Sequence, residues 1–331
     1  MIEVDDLLHL PYTPDLTQGG IAYACRSLHY TYNRMGGSPY SRLRRIVGGI
    51  AVELAFRRAL VAENVPHDVL GATHFTEPDR YDISLGGRRC DIKSYMITNR
   101  EQILTYRDHP EHILNAHALV PTDQMLSDHL LDEDLYIFAF LTGVITPSWE
   151  EIEIALTADQ PVYLLHPFPE VWARPKHWRP LGKLVMKTNF DHYAEIEIGG
   201  QGPGHDFEIK MVELAPHRRT LLPHDFYAVN YLYTPTILEG EIGIHSPVLK
   251  ETHVITPNEW GNIWVYGMKI VIAGYMTRGE FRRKAIRIPK GSAVGQYPRT
   301  QIENMGMPIR DLYPMPDLFI RAQNWAQRSR R

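Results

Sequence analysis

The apolar positions divide the chain into a helical beginning, a short extended region, a second mainly helical stretch and a strand-rich remainder. Residues 19–35 have helical spacing and end at the turn Gly36-Gly37. Ser38-Pro39 has the form of a helix start, a capping hydroxyl before a first-turn proline. The helix it opens is expected to run to about Asn64, and residues 46–56 of it are apolar except for Glu53. Extended segments follow at 67–70, 80–85 and 88–96, and 99–131 reads mainly as helix. Residues 135–142 form an unbroken apolar run of strand length, the pattern of a strand buried on both faces. A helix at 148–156 and a short strand at 162–165 come next.

Composition shifts at 166–180, which is rich in Pro and Trp. Beyond it the spacing predicts strands at 193–198, 207–214, 226–233, 263–266 and 269–275, a helix at 278–284 and a helical end near 323–331. The expected organisation is an α/β (α+β) domain over 1–188 followed by a strand-rich domain over 189–331. The stretches beginning at Phe138 and Val271 echo each other, each reading as a buried strand that turns into a helix.

With 331 residues, 44% of them apolar, the chain can bury a sizeable core. A net charge of -4 excludes a strongly basic coat but not a local basic groove. Cys25 and Cys90 are too few for a disulfide framework or a Cys-rich zinc site. There is no signal-like start and no apolar run long enough to span a bilayer, so a cytoplasmic location is expected.

The chemistry gathers in Pro78-Asp-Arg-Tyr-Asp-Ile-Ser-Leu-Gly-Gly-Arg-Arg-Cys-Asp-Ile-Lys-Ser-Tyr95. Gly86-Gly87 between two alternating runs signals a two-residue hairpin turn. That turn sets Ile83 opposite Cys90, Asp82 opposite Asp91 and Arg80 opposite Lys93. Two opposed carboxylates stand roughly 5 Å apart at Cβ and repel. A divalent cation between them reverses the sign, with the Ile92 carbonyl as a further oxygen donor. Without the cation, deleting Asp91 is expected to spare folding or improve it. Lys93 points to the face of Asp91 and can act on an attacking water or on developing phosphate charge. Glu53 lies on an otherwise apolar helix face, where a carboxylate needs a partner: a metal-bound water, a second ion or Arg57.

Glu53, Asp82 and Asp91-Ile-Lys93, in that order, resemble the pattern of the PD-(D/E)xK, or restriction-endonuclease-like, nuclease superfamily over roughly residues 38–165. The resemblance implies a mixed central sheet flanked by helices, with the acids on neighbouring strands. Asp82, Asp91 and the Ile92 carbonyl would hold Mg²⁺ or Mn²⁺, Lys93 would serve the water, and Glu53 would be auxiliary. The motif's proline stands at position 78, which leaves Asp79 as a competing first acid. The implied activity is DNA endonuclease cleavage in restriction or phage defence, alone, as a homodimer or within a defence complex. RNA remains an alternative substrate, and a non-catalytic DNA-binding or scaffold subunit is the rival reading.

Other signals are weaker. Arg42, Arg45 and Arg57 on the Glu53 helix are candidate phosphate contacts. Gln102 to Tyr106 resembles the Q-x-x-x-Y motif of RecB-type exonucleases. Glu195, Glu197, Glu208 and Lys210 form a second acid and lysine set around a glycine-rich loop. His166, His177, His192, His205, His217, His224, His245 and His253 show no zinc spacing and are expected mostly in loops. Trp260, Trp264 and Tyr266 are expected in the core.

Overall fold

The computed structural model describes residues 1–27, 39–71, 80–127, 129–160, 162–264 and 266–328. Pro78, Asp79, the turn Gly36-Gly37, Ser38 and the end of the first expected helix lie outside the described residues. Along the chain run β1 (Leu8–Leu10), α1 (Pro14–Ser27), α2 (Pro39–Ala62), β2 (His67–Asp68), β3 (Ile83–Leu85), β4 (Arg88–Ile97), α3 (Arg100–Asp108), α4 (Glu111–Leu114), β5 (His117–Pro121), α5 (Thr122–Ser127), β6 (Leu135–Val144), α6 (Trp149–Thr157) and β7 (Leu164–Pro167). There follow α7 (Glu170–Ala173), β8 (Val185–Thr188), β9 (Ala194–Gln201), β10 (Phe207–Leu214), β11 (Arg219–Leu221), β12 (Ala228–Thr234), β13 (Ile242–Ser246), β14 (Glu251–Ile255), β15 (Gly261–Asn262), β16 (Tyr266–Thr277), α8 (Arg278–Lys284), β17 (Ile286–Ile288), β18 (Asn304–Pro308) and α9 (Met315–Arg328). The chain is thus a mixed α/β protein. Among the described residues no helix is long and apolar enough to cross a membrane.

The chain packs into two units, and their division differs from the boundary expected near residue 188. One unit is 1–20, 48–144 and 267–331; the other is 21–47 and 145–266. The reason lies in strand pairing. β16 sits between β1 and β6 in the first sheet, so the C-terminal segment belongs with the first unit. β7 pairs with β12 and β8 with β13, so residues before 188 belong with the second.

In the first unit the described strands form a sheet in the order β1-β16-β6-β4-β3-β2 and a smaller one in the order β17-β18-β5. β3 and β4 are antiparallel; β4 and β6 are parallel, from Cys90 opposite Leu135 to Ile97 opposite Thr142. Parallel neighbours need a long crossover, and α3, α4, β5 and α5 supply it. β5, inside a stretch expected to be helical, is held by β18 from nearly two hundred residues away. β6 is buried at every position, as its unbroken apolar run requires. β6 and β16, the two echoing segments, are neighbours in this sheet.

Helix α2 approaches β4 closely because Gly48 has no side chain. A Cβ there would stand 2.9 Å from Met96 Sδ, and one on Gly49 would stand 3.8 Å from Ser94 Oγ. Side chains alternate along a strand, so α2 covers the face carrying Cys90, Ile92, Ser94 and Met96. The opposite face carries Asp91, Lys93, Tyr95 and Ile97. There Tyr95 O–H donates to the Leu119 carbonyl on β5, 2.8 Å. Tyr106 of α3 meets Phe140 edge to face at 6.4 Å on the same side.

In the second unit the described strands form two sheets, β10-β9-β12-β7-β15 and β11-β8-β13-β14. Trp260 and Trp264 are buried there, as expected of core aromatics, whereas Tyr266 is half-buried.

Candidate active site on the β3–β4 hairpin

The turn is as the sequence indicates: Gly86 and Gly87 have φ of 57° and 88°, which a two-residue turn of this hand demands. Gly86 also packs so closely on α9 that a Cβ would lie 2.5 Å from the Ala322 carbonyl oxygen. The ladder sets Ile83 opposite Cys90, Ser84 opposite Arg89 and Leu85 opposite Arg88.

Asp82 departs from that ladder. Its N–H donates to the Cys90 carbonyl at 3.1 Å, although Ile83 is already opposite Cys90. Two residues against one is the pattern of a bulge, so Asp82 does not stand squarely across from Asp91. Its carboxylate instead accepts the Ile92 N–H at 2.6 Å. The Cys90 peptide faces the β3 edge, and the Ile92 peptide faces the same edge two residues on, past the end of β3. Asp82 satisfies an amide that the short strand leaves without a ladder partner.

Asp91 and Lys93 share one face and meet there. Lys93 Nζ is 2.6 Å from Asp91 Oδ2, with side chains 14% and 23% exposed. Nζ also donates to Gln124 Oε1 of α5, 3.0 Å. The expected strain of two repelling carboxylates is therefore offset by a resident cation, and deleting Asp91 removes an attraction.

Glu53 does not join this face. It lies on α2, which covers the opposite face of β4, and pairs with Arg57 at 3.6 Å. Arg57 in turn donates to the Asp82 carbonyl at 3.1 Å. The structure thus brings Asp82, Asp91, Lys93 and the Ile92 backbone together, and links Glu53 to them through Arg57. Arg57 thus has two partners within the chain. Arg45 is exposed and Arg42 half-buried.

Among the described residues no three His, Cys, Asp or Glu side chains are grouped to hold a metal ion. The donors present are two carboxylates and the Ile92 carbonyl. All are hard oxygens, the set that Mg²⁺ or Mn²⁺ takes with water and phosphate. The Lys93 ammonium against Asp91 marks that carboxylate as a place where positive charge is accommodated.

Two residues missed by sequence reasoning support the site. Gln124 gives no sequence signal because its contact is made from a different element. Asp134, 3% exposed, accepts from Arg89 N at 2.9 Å, Arg89 Nε at 2.7 Å and Leu131 N at 2.8 Å. It locks the starts of β4 and β6.

The weaker candidates resolve into structural roles. Gln102 Nε2 donates to the Gln296 carbonyl at 3.0 Å and Tyr106 O–H to that of Gly295 at 3.3 Å, so both tie down a loop. Glu208 and Lys210 register with Gly200 and Ile198, Glu195 and Glu197 with Glu213 and Met211. The Glu195–Glu197 pair and the Glu208–Lys210 pair therefore occupy opposite faces of β9 and β10. Glu208 pairs with His224, and Glu197 accepts from Tyr231 O–H at 2.6 Å.

His177, His192, His205, His217 and His224 lie outside helices and strands, as expected of most of these histidines; His166, His245 and His253 are on strands. His166 Nδ1 donates to the Glu259 carbonyl at 3.1 Å, which leaves Nε2 as the acceptor for His253 Nε2–H at 2.9 Å. This pair joins the two sheets of the second unit. Burial first, then the neighbouring His253, pushes His166 down to about 4, against the favourable carbonyl bond. Burial lowers His253 too, while Glu251 and Glu259 oppose the shift. A lowered folded value means that the unfolded chain binds more protons. The second unit should therefore be fully stable above about pH 6.5 and lose about 3 kcal/mol as pH falls towards 4. Denaturant unfolding between pH 7 and 4 would measure this. The slope should flatten in His166→Gln, and an unchanged slope there would refute the assignment.

Comparison of the chain with family models, with curated proteins and with solved structures gave no match.

Proposed function

We propose that the first unit is a Mg²⁺- or Mn²⁺-dependent DNA endonuclease of the PD-(D/E)xK kind, acting in the cytoplasm in restriction or phage defence. The observation that carries this reading is the meeting of Asp82, Asp91 and Lys93 at one hairpin, with Asp82 on the Ile92 amide and Lys93 on Asp91. The surrounding architecture supports it: a mixed sheet, Asp91 on β4 with Asp82 just before β3, and helices over both faces. Asp82, Asp91 and the Ile92 carbonyl would hold the ion, which supplies Lewis-acid stabilisation of charge on the phosphoryl oxygens. Lys93, handed from Asp91 towards Gln124, would orient the water or meet the developing charge. Glu53 would act through Arg57, which steadies the Asp82 backbone.

One observation favours a second reading, a non-catalytic DNA-binding or scaffold subunit: Asp91 and Glu53 already have cationic partners within the chain. One experiment separates the two. Plasmid, linear duplex, single-stranded DNA and RNA are incubated with the chain, with and without Mg²⁺ or Mn²⁺. Metal-dependent conversion of supercoiled plasmid to nicked or linear form is expected. Intact substrates throughout would leave the scaffold reading.

A further inference from the structure

A cavity of about 450 Å³ in the second unit has Arg174, Lys176, His177 and Arg179 in its lining. Leu181 and Val248 are among its apolar lining residues, and Glu170 is the acid among those described. The segment carrying the cations is held in place. Trp178 stacks on His205 with ring centres 3.7 Å apart at 17°, and its Nε1–H donates to the Pro203 carbonyl at 2.8 Å. Pro175 and Pro180 restrict the backbone on either side. The side chains of Lys176, His177 and Arg179 form no hydrogen bond or ion pair with the described residues. Cations crowded into six residues repel, and an anion relieves that repulsion.

We infer that this cavity binds the phosphodiester backbone of a nucleic-acid strand. The choice of anion rests on the reading of the chain as a DNA enzyme; the site itself is separate from the hairpin. Two features favour a nucleotide unit over a free phosphate ion. The cavity is several times too large for phosphate, and Val171, Leu181, Val248 and Leu249 add apolar surface to its lining.

The test uses the full chain in EDTA, with a labelled duplex and the matching single strand, titrated at several salt concentrations. Lys176→Gln/Arg179→Gln should bind duplex on the order of tenfold more weakly at low salt, with log Kd against log salt shallower by about 2. Glu170→Gln should bind more tightly, and both variants should melt like the wild type. An unchanged affinity and salt slope in the double variant overturns the inference, as does a wild-type chain that binds only inorganic pyrophosphate. If the wild type cuts plasmid while the double variant binds normally, this cavity is discarded and the nuclease reading stands. Weakened binding with no cleavage under any metal does the reverse.

Discussion

Lys93→Ala should slow plasmid cleavage about 10²–10³-fold while binding Mn²⁺ at least as tightly as the wild type. The first half follows from position. Nζ stands between Asp91 Oδ2 at 2.6 Å and Gln124 Oε1 at 3.0 Å, at a side chain only 14% exposed. A donor held in such a place acts on charge that develops during reaction, and its loss appears in kcat more than in KM. The second half follows from competition. In the resting protein the ammonium occupies the carboxylate that a metal must take, so removing it lowers the cost of binding. Asp91→Ala should differ on both counts, losing cleavage and metal affinity together. It should also destabilise the first unit by about 1–2 kcal/mol, because a mostly buried charged hydrogen bond is lost while Gln124 still receives Lys93. Calorimetric Mn²⁺ titration, melting and cleavage on the three proteins decide the matter. Wild-type cleavage by Lys93→Ala would end the nuclease assignment at this hairpin. Weaker Mn²⁺ binding in the same variant would show that lysine organises the acids instead of competing for one.

What the sequence made legible was local. The glycine pair set the hairpin register, because only a turn with positive φ at both residues fits two strands so closely spaced. The unbroken apolar run of β6 announced a strand with no exposed face. Asp82 was legible as a candidate but not in its geometry: nothing in the sequence marks that β3 begins only at Ile83, and the bulge depends on that end. Glu53 could be placed on its helix but not on a side of the sheet. Helical periodicity says which stripe is buried, whereas Gly48 over Met96 is what decides which face of β4 receives it. Gln102 and Tyr106 were visible as an (i, i+4) pair, yet the Gly295 and Gln296 carbonyls they hold are close to two hundred residues away. The same distance hid the domain organisation, since β16 enters the first sheet between β1 and β6 from beyond the whole second unit. The basic segment at 174–179 was flagged only as a change in composition, because Val248 completes its cavity from a distant loop.

Asp134→Ala should cost the first unit about 3 kcal/mol, a loss in melting temperature on the order of 10 °C. The carboxylate is 3% exposed and receives four donors: the Arg89 amide at 2.9 Å, its Nε at 2.7 Å and Nη2 at 2.5 Å, and the Leu131 amide at 2.8 Å. Truncation leaves two main-chain N–H groups without their acceptor, the expensive half of losing a hydrogen bond. Arg89 is 30% exposed, so its charge recovers part of its solvation, which keeps the figure at the low end for a broken buried pair. The consequence reaches the site. Arg89 and Asp134 directly precede the registered pair Cys90 and Leu135, from which Asp91 falls opposite Tyr136 and Lys93 opposite Phe138. Loosening that first pair frees the end of β4 that carries both site residues, so cleavage should fall along with stability. Asp134→Asn keeps a side-chain acceptor and gives up the charge, and should cost roughly half as much. Thermal melting of the first unit and plasmid cleavage at a temperature below both transitions separate the two effects. If Asp134→Ala melts like the wild type, the clamp at the start of β4 and β6 contributes nothing. If it melts low but cuts normally when folded, the position of Asp91 and Lys93 is fixed by Gln124 and the β3 hairpin instead.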